Sequence, residues 1–309
     1  MLRSIVIGLL TVALAPACVS AQNCEAGSVA VQILGSGGPR LDRFRSSTSY
    51  LVWVGDQARV LVDMGGGAHA RFAQTQAKLP DLSLVAVSHL HPDHISDLPA
   101  FLWQSHLERK EPLPVVGPSG NDAAPDFATF LGRLFDERNG AFPVLGATLG
   151  GKRRDLPNGP QPGGGVSLDV SMVDVTKAEP ATVFDRDGLT VTAQGIPHGN
   201  MPTLAYRVRV RGVSIVFSSD QTGTDPTFVD FAKGANVLIM HLALAAGVKN
   251  NPLHAAPEVV GRLAQQAGVG RLIVSHIGLF DLDAALAELK TAYTGPLTVG
   301  ADLQCTPVR

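Results

Sequence analysis

Three histidines and an aspartate fall within six positions of this 309-residue chain: His89, His91, Asp93 and His94, in the stretch "VSHLHPDHISDLP" (87–99). Histidine is scarce elsewhere, with nine in all. Neutral imidazole and carboxylate are side chains that zinc takes at catalytic positions. Further candidates lie downstream at the ends of apolar runs: His198 after "LTVTAQGIP", Asp220 after "VSIVFSS" and His276 after "RLIVS". His89 itself follows "LSLVAVS". Four separate apolar strands therefore each deliver a metal-capable group at their C-terminal end, and a binding site needs such stiff support. The cluster supplies four donors and the distant positions three. Seven are too many for one tetrahedral catalytic ion but suit a pair, because one aspartate can bridge two ions with its two oxygens.

The elements that must hold these groups are strands with helices between some of them. "SVAVQILG" (28–35), "TSYLVWVG" (48–55) and "ARVLVDMG" (58–65) read as strands by apolar pattern and terminal turn residues. "GAHARFAQTQAKL" (67–79) predicts a helix and "LSLVAVS" (82–88) a buried strand. "ISDLPAFLWQSHLERK" (95–110) has helical spacing with a break at Pro99, and "PDFATFLGRLFDE" (125–137) is a further helix. Residues 145–165 read as loop from their Gly and Pro content. That loop divides the halves without linking independent domains.

A second strand-rich half begins with "VSLDVSMVDV" (166–175) and continues through "ATVFD", "LTVTAQGI", "LAYRVRVRG", "VSIVFSSD" and "NVLIMH". It closes with "APEVVGRLAQQAG" as helix, "RLIVSH" as strand and "DLDAALAELKTAY" as helix. The pattern predicts two packed sheets with helices outside, as a single α/β domain over residues 22–309.

The motifs His89-x-His91-x-Asp93-His94, then His198, Asp220 and His276 in that order, resemble the metallo-β-lactamase superfamily, as do "ILGSGGPR", "VLVDMGGG" and "FSSDQTG". The resemblance covers nearly all of the chain after residue 21 and implies a four-layer αββα sandwich. "LHAAPEVVGRLAQQAGVGRLIVSHIG" (253–278) is most similar to the ribonuclease Z and arylsulfatase-like branch. Carried over residue by residue, the resemblance implies that His89, His91 and His198 hold one ion. Asp93, His94 and His276 hold a second, and Asp220 bridges. The implied cofactor is a pair of Zn²⁺ ions, with Mn²⁺ or Fe²⁺ as alternatives. Such a pair activates a water at neutral pH and stabilises the oxyanion formed on attack.

Four histidines remain, and one aspartate. Asp63 would orient a ligand by hydrogen bonding, or else cap a turn. Asp93 and His254 are the candidate catalytic residues, His254 as general acid. His241 stands where ribonuclease Z enzymes carry a glutamate, and it reads as a pocket-lining residue rather than a ligand. His69 and His106 read as structural or exposed.

The N-terminus, "MLRSIVIGLLTVALAPACVSAQNC", has one charge, Arg3, an apolar run of 11 from Ile5 to Ala15 and a small-x-small site at Val19-Ser20-Ala21. This predicts a signal peptide over residues 1–21 and a periplasmic or secreted protein. The run is too short to cross a bilayer, which takes about 20 apolar residues, and no other stretch is long enough. A lipoprotein reading with Cys18 lipidated fits less well, because of Pro16. Cleavage after Ala21 leaves 288 residues (309 − 21), a formal charge of −3 (24 basic against 27 acidic) and two cysteines. Cys24 and Cys305 are expected to be bridged in an exported protein, against the alternative of two free thiols.

Apolar residues are 45% and charged residues 17%, with no basic surplus to recruit nucleic acid. "KRR" (152–154) is one short basic run, more in keeping with a solvated loop than with an arm that grips tRNA. The expected function is thus an exported dinuclear zinc hydrolase of a small ester, of the phosphodiester or sulfate type. A β-lactamase or lactonase is the first alternative, and a ribonuclease Z-type tRNA 3′ endonuclease the second. A non-catalytic binding protein on the same fold would require a lost ligand, and none is lost. The expected partner is a small-molecule ester, with no nucleic acid; a homodimer is left open.

Overall fold

The computed structural model describes residues 24, 28–150 and 166–309, with the side chains of 105–108 excepted. The expected signal peptide over 1–21, Cys18 and the "KRR" run lie outside these residues.

Two seven-stranded sheets form the centre. The first contains β1 (Val29–Gly35), β2 (Ser49–Val54), β3 (Gln57–Val62), β4 (Leu84–Ala86), β5 (Leu113–Pro118) and β6 (Leu168–Val173), and is completed by the C-terminal strand β14 (Cys305–Val308) beside β1. The second runs from β7 (Ala181–Arg186) through β8 (Leu189–Ile196), β9 (Thr203–Val210), β10 (Val213–Phe217), β11 (Val237–His241) and β12 (Leu272–Ser275) to β13 (Leu297–Val299). In each sheet four neighbouring strands pair in parallel: β3 to β6, and β10 to β13. Their C-terminal ends therefore point the same way within a sheet.

Period-2 alternation sorts the apolar side chains into layers. Val29, Val31 and Ile33 of β1 face the second sheet, packing in one cluster with Tyr206, Val208, Ile215 and Ile239. Ala30 and Leu34 face the other way, in a cluster with helices α1 (Ala68–Phe72), α3 (Leu98–Glu108) and α4 (Phe127–Phe135). The outer face of the second sheet is covered by α5 (Thr227–Ala232), α6 (Pro257–Ala267) and α7 (Leu282–Lys290). Three apolar layers between four structural layers make the expected αββα sandwich. Among the described residues no helix is long and apolar enough to cross a membrane.

Several local expectations are corrected. The helix over 67–79 is only α1: the Thr75 hydroxyl bonds the Phe72 carbonyl and then accepts from Ala77 N–H, so local side-chain bonds displace the helical ladder. The break near Pro99 falls earlier, between α2 (Pro92–Ile95) and Leu98, because proline fits a first helical turn, where its missing N–H has no partner to lose. "LDVSMV" does not open the second sheet; it is the edge of the first, in parallel register with β5 from Leu113↔Leu168 to Pro118↔Val173.

Candidate metal centre

Each strand of the site ends in a polar residue. Asp63 follows β3, His198 comes just after β8, and His276 follows β12. His89 and Asp220 lie in the short segments after β4 and β10, and His241 is the last residue of β11. The carboxyl ends of strands are where α/β sheets place their ligands. His91, Asp93 and His94 come from the tight turn into α2, which His91 begins in extended conformation and which closes through His94 N–H to the His91 carbonyl at 2.9 Å. Asp63, Ser219 and His276 have φ of 57°, 51° and 51°. Left-handed backbone at non-glycine residues costs roughly 1 kcal/mol or more each, and such strain concentrates where a site dictates side-chain aim.

Three imidazole nitrogens converge first. His89 Nε2 lies 3.0 Å from His91 Nδ1, which lies 3.2 Å from His198 Nε2. Tetrahedral zinc with bonds of 2.0–2.1 Å sets its nitrogen ligands about 3.3 Å apart, close to this spacing. The Leu253 carbonyl can only accept, so His198 Nδ1 donates to it at 2.7 Å and leaves the Nε2 lone pair facing the cluster. Asp220 Oδ2 stands 3.7 Å from His89 Nε2 and 3.6 Å from His198 Nε2.

The second group shares that carboxylate. His94 Nε2 is 3.5 Å from Asp220 Oδ2, and His276 Nε2 is 3.4 Å from Asp220 Oδ1. Asp93 Oδ2 joins them, 3.1 Å from His276 Nε2 and 3.7 Å from His94 Nε2. His94 Nε2 is buried and has no hydrogen-bond partner. A buried polar atom without a partner is costly unless something else meets it. Gly38 leaves room here, since a Cβ on it would lie 2.7 Å from His276 Cε1.

The electrostatics ask for a cation. Burial alone would raise the Asp220 carboxyl, yet His276, His94 and the hydrogen bond from His241 hold it well below the usual carboxylate range. His94 stays well above the ordinary histidine value despite burial, because Asp63 and Asp220 flank it. Burial pulls His89 well down and lowers His91, with neighbouring imidazoles adding to both. Buried carboxylates and imidazole nitrogens thus converge on one region, the donor set that a divalent cation takes. Two donor groups sharing Asp220 fit a binuclear metal site.

Every predicted ligand is brought together, and two supporting groups complete the picture. Asp63 does orient a site residue: His94 Nδ1 bonds its Oδ2 at 2.8 Å, while Ser88 N–H and hydroxyl each reach the same carboxylate at 2.7 Å. His241, expected to line a pocket rather than to be a ligand, is buried and lies among the donors of the second group, with His94, Asp220 and His276. Its Nδ1 lies 2.6 Å from Asp220 Oδ1 and its Nε2 3.1 Å from the Tyr50 hydroxyl. An ionised carboxylate only accepts, so Nδ1 carries the proton and Nε2 takes one from Tyr50. Burial lowers the His241 pKa to about 3, in keeping with a neutral ring. Tyr50 was not singled out by sequence reasoning. His69 is structural, bonded to Gln104 at 2.8 Å and edge-on to Phe101; the His106 side chain lies outside the described residues.

His254 stands beside the centre, its Nδ1 3.8 Å from Asp220 Oδ1, beyond hydrogen-bond reach. Burial lowers its pKa to about 4, so it is neutral at pH 7. It also lines a cavity of about 320 Å³ whose other walls include His276, Leu244, Ile277, Leu279 and Phe280.

A family model described as a β-lactamase superfamily domain matches residues 58–277, well over half the chain. The chain belongs to the β-lactamase superfamily. Among curated superfamily relatives, the ribonuclease Z of Mycobacterium marinum is 29% identical over 298 residues, covering 89% of this chain and 97% of its own. Among solved structures, the short form of human tRNase Z superposes with a TM-score of 0.69 at 17% identity, covering 91% of this chain and 99% of its own. The metallo-β-lactamase fold protein YhfI of Bacillus subtilis gives 0.67 at 20% identity, covering 90% and 99%. These two share the fold. As a superfamily member with such relatives and such a donor cluster, the protein is a metal-dependent hydrolase of ester bonds.

Proposed function

We propose that this protein is an exported dinuclear zinc hydrolase that cleaves a small phosphodiester or sulfate ester. The observation that carries the reading is Asp220, one buried carboxylate shared by both groups of imidazoles: its Oδ2 lies within 3.7 Å of His89, His198 and His94, and its Oδ1 lies 3.4 Å from His276. His89, His91 and His198 would hold one ion, Asp93, His94 and His276 the other, with Asp220 spanning both. The ions, when bound, lower the pKa of a water and stabilise the negative charge that develops on attack. Asp63 holds the His94 ring in place, His241 fixes the angle of Asp220, and His254 faces the leaving oxygen. Support for export comes from the disulfide between Cys24 and Cys305, a bond typical of oxidising compartments.

A second reading, cleavage of RNA, is favoured by the relatives named ribonuclease Z. The net acidic charge speaks against it, since nucleic-acid binders concentrate basic surface. A β-lactamase or lactonase activity is the remaining alternative.

Metal analysis and a substrate panel on zinc-loaded protein test these readings together. Two zinc ions per chain are expected, with turnover of bis-p-nitrophenyl phosphate or p-nitrophenyl sulfate exceeding that of nitrocefin, a homoserine lactone and pre-tRNA. One ion or none after loading would sink the dinuclear reading, and preference for pre-tRNA would replace the small ester by RNA. Asp220→Ala should lose metal and most activity.

A further inference from the structure

The cavity beside the centre carries chemical information about the ligand. It is lined by backbone and side chains of Gly38, Pro39 and Arg40, of Ala243 to Ala245, and of Ile277 to Phe280, and it opens on His254 and His276. Ala243, Leu244, Ile277, Leu279 and Phe280 give part of its wall an apolar surface, beside polar groups of the backbone, Arg40 and the two histidines. Arg40 is the one lining residue with a permanent charge, and no lining residue is a carboxylate. A volume of about 320 Å³ lies at the small end of ligand pockets, which start at roughly 300 Å³. Leu279, which lines the cavity, is 51% exposed, and Leu253, the residue before His254 in sequence, is 39% exposed. Apolar side chains left open beside a catalytic centre mark a surface that a ligand covers.

From this lining we infer that the substrate is an anionic ester carrying one compact apolar group, of phenyl or branched-alkyl size, and that this group lodges between Leu244, Leu279 and Phe280 against His254. The inference rests on the proposed ester hydrolysis and names its substrate class. A nucleotide chain fits poorly, since each of its units brings a charged phosphate and a polar sugar, whereas the only polar side chains on these walls are Arg40 and the two histidines. A free apolar alcohol would leave Arg40 and the metal ions without a counter-charge. The ester anion meets the cations, and the apolar group meets the walls.

Phenylphosphonate and methylphosphonate are non-hydrolysable probes of equal charge that differ only in the apolar group. Their binding to the zinc-loaded full chain, read by calorimetry or by inhibition, should favour the phenyl compound by about 10- to 100-fold, the effect of burying one aromatic ring. Leu279→Ser, at a half-exposed position that tolerates the change, and Leu244→Ser should each shrink that preference several-fold. Equal binding of the two probes, or a preference untouched in both variants, would overturn the assignment. Turnover of bis-p-nitrophenyl phosphate separates this from the underlying reading. A strong phenyl preference without turnover supports the pocket and removes the phosphodiester reading; turnover without preference does the reverse.

Discussion

Tyr50 reaches the site through His241, which bonds Asp220 and stacks on His276 with ring centroids 4.6 Å apart. The hydroxyl of Tyr50 is buried, and its bond to His241 Nε2 leaves Nδ1–H for the carboxylate. Tyr50→Phe removes that proton donor and lets the imidazole choose its other tautomer. Groups that steer metal ligands in this way change affinity by about 10- to 100-fold, so zinc affinity by chelator competition should fall within that range. An unchanged affinity would show that Asp220 is held without the relay. His254 is tested through the leaving group: its ring, neutral at pH 7, would take a proton from the attacking water and pass it to the leaving oxygen, which an alkoxide needs and p-nitrophenolate does not. His254→Ala should keep both metals and lose about 10²–10⁴-fold on alkyl esters but far less on p-nitrophenyl esters. Equal losses on both would make it a positioning residue. Four of the seven ligands were legible because each follows the end of an apolar strand, and the other three because they crowd the turn after the first of them. Tyr50 was not, because it lies 191 residues from His241 and only the packing of one sheet on the other joins them.

Elements whose signal is local were also legible, and those whose signal is tertiary were not. α4 begins at Asp126, whose carboxylate accepts from Thr129 N–H at 2.7 Å. That bond, with the Thr129 hydroxyl adding, holds the Asp126 carboxyl below its usual value. A depressed pKa means stabilisation that is full above the unfolded value, about 3.9, and lost as pH falls through the folded one. Asp126→Ala should therefore cost about 1 kcal/mol in denaturant melts at pH 7, with the gap closing towards pH 3. A gap constant with pH would mean that the cost comes from something other than the ionised cap. β5, β13 and β14 escaped the sequence reading. β5 holds Pro114 and ends at Pro118, and β14 holds Pro307, so both look like turns. β14 tolerates proline because β1 is its only partner strand. β13 has three residues and takes its register from β12 alone.

At the scale of the whole molecule, the four layers were readable from alternating strands and amphipathic helices, but the exchange between halves was not. The last strand leaves the second half to complete the first sheet, pairing Cys305 with Gln32. The bridge to Cys24 fastens it there, with Cα atoms 5.5 Å apart across 281 residues of sequence. Opening so long a loop should destabilise the protein by about 2–5 kcal/mol. Cys305→Ser should show this in denaturant melts, and chain beginning at Gln22, made in an oxidising compartment, should titrate no free thiol. Two reactive thiols would refute the bridge. Seen along its backbone, the described protein is a ring with a clasp. A ring has no privileged starting point. Cut at an exposed hairpin tip such as Asp187-Gly188 and rejoined across the clasp, the same strands would meet the same neighbours, and every donor of the centre would keep its place on an unbroken segment. The order in which the strands are written in the gene is therefore separable from the site they build.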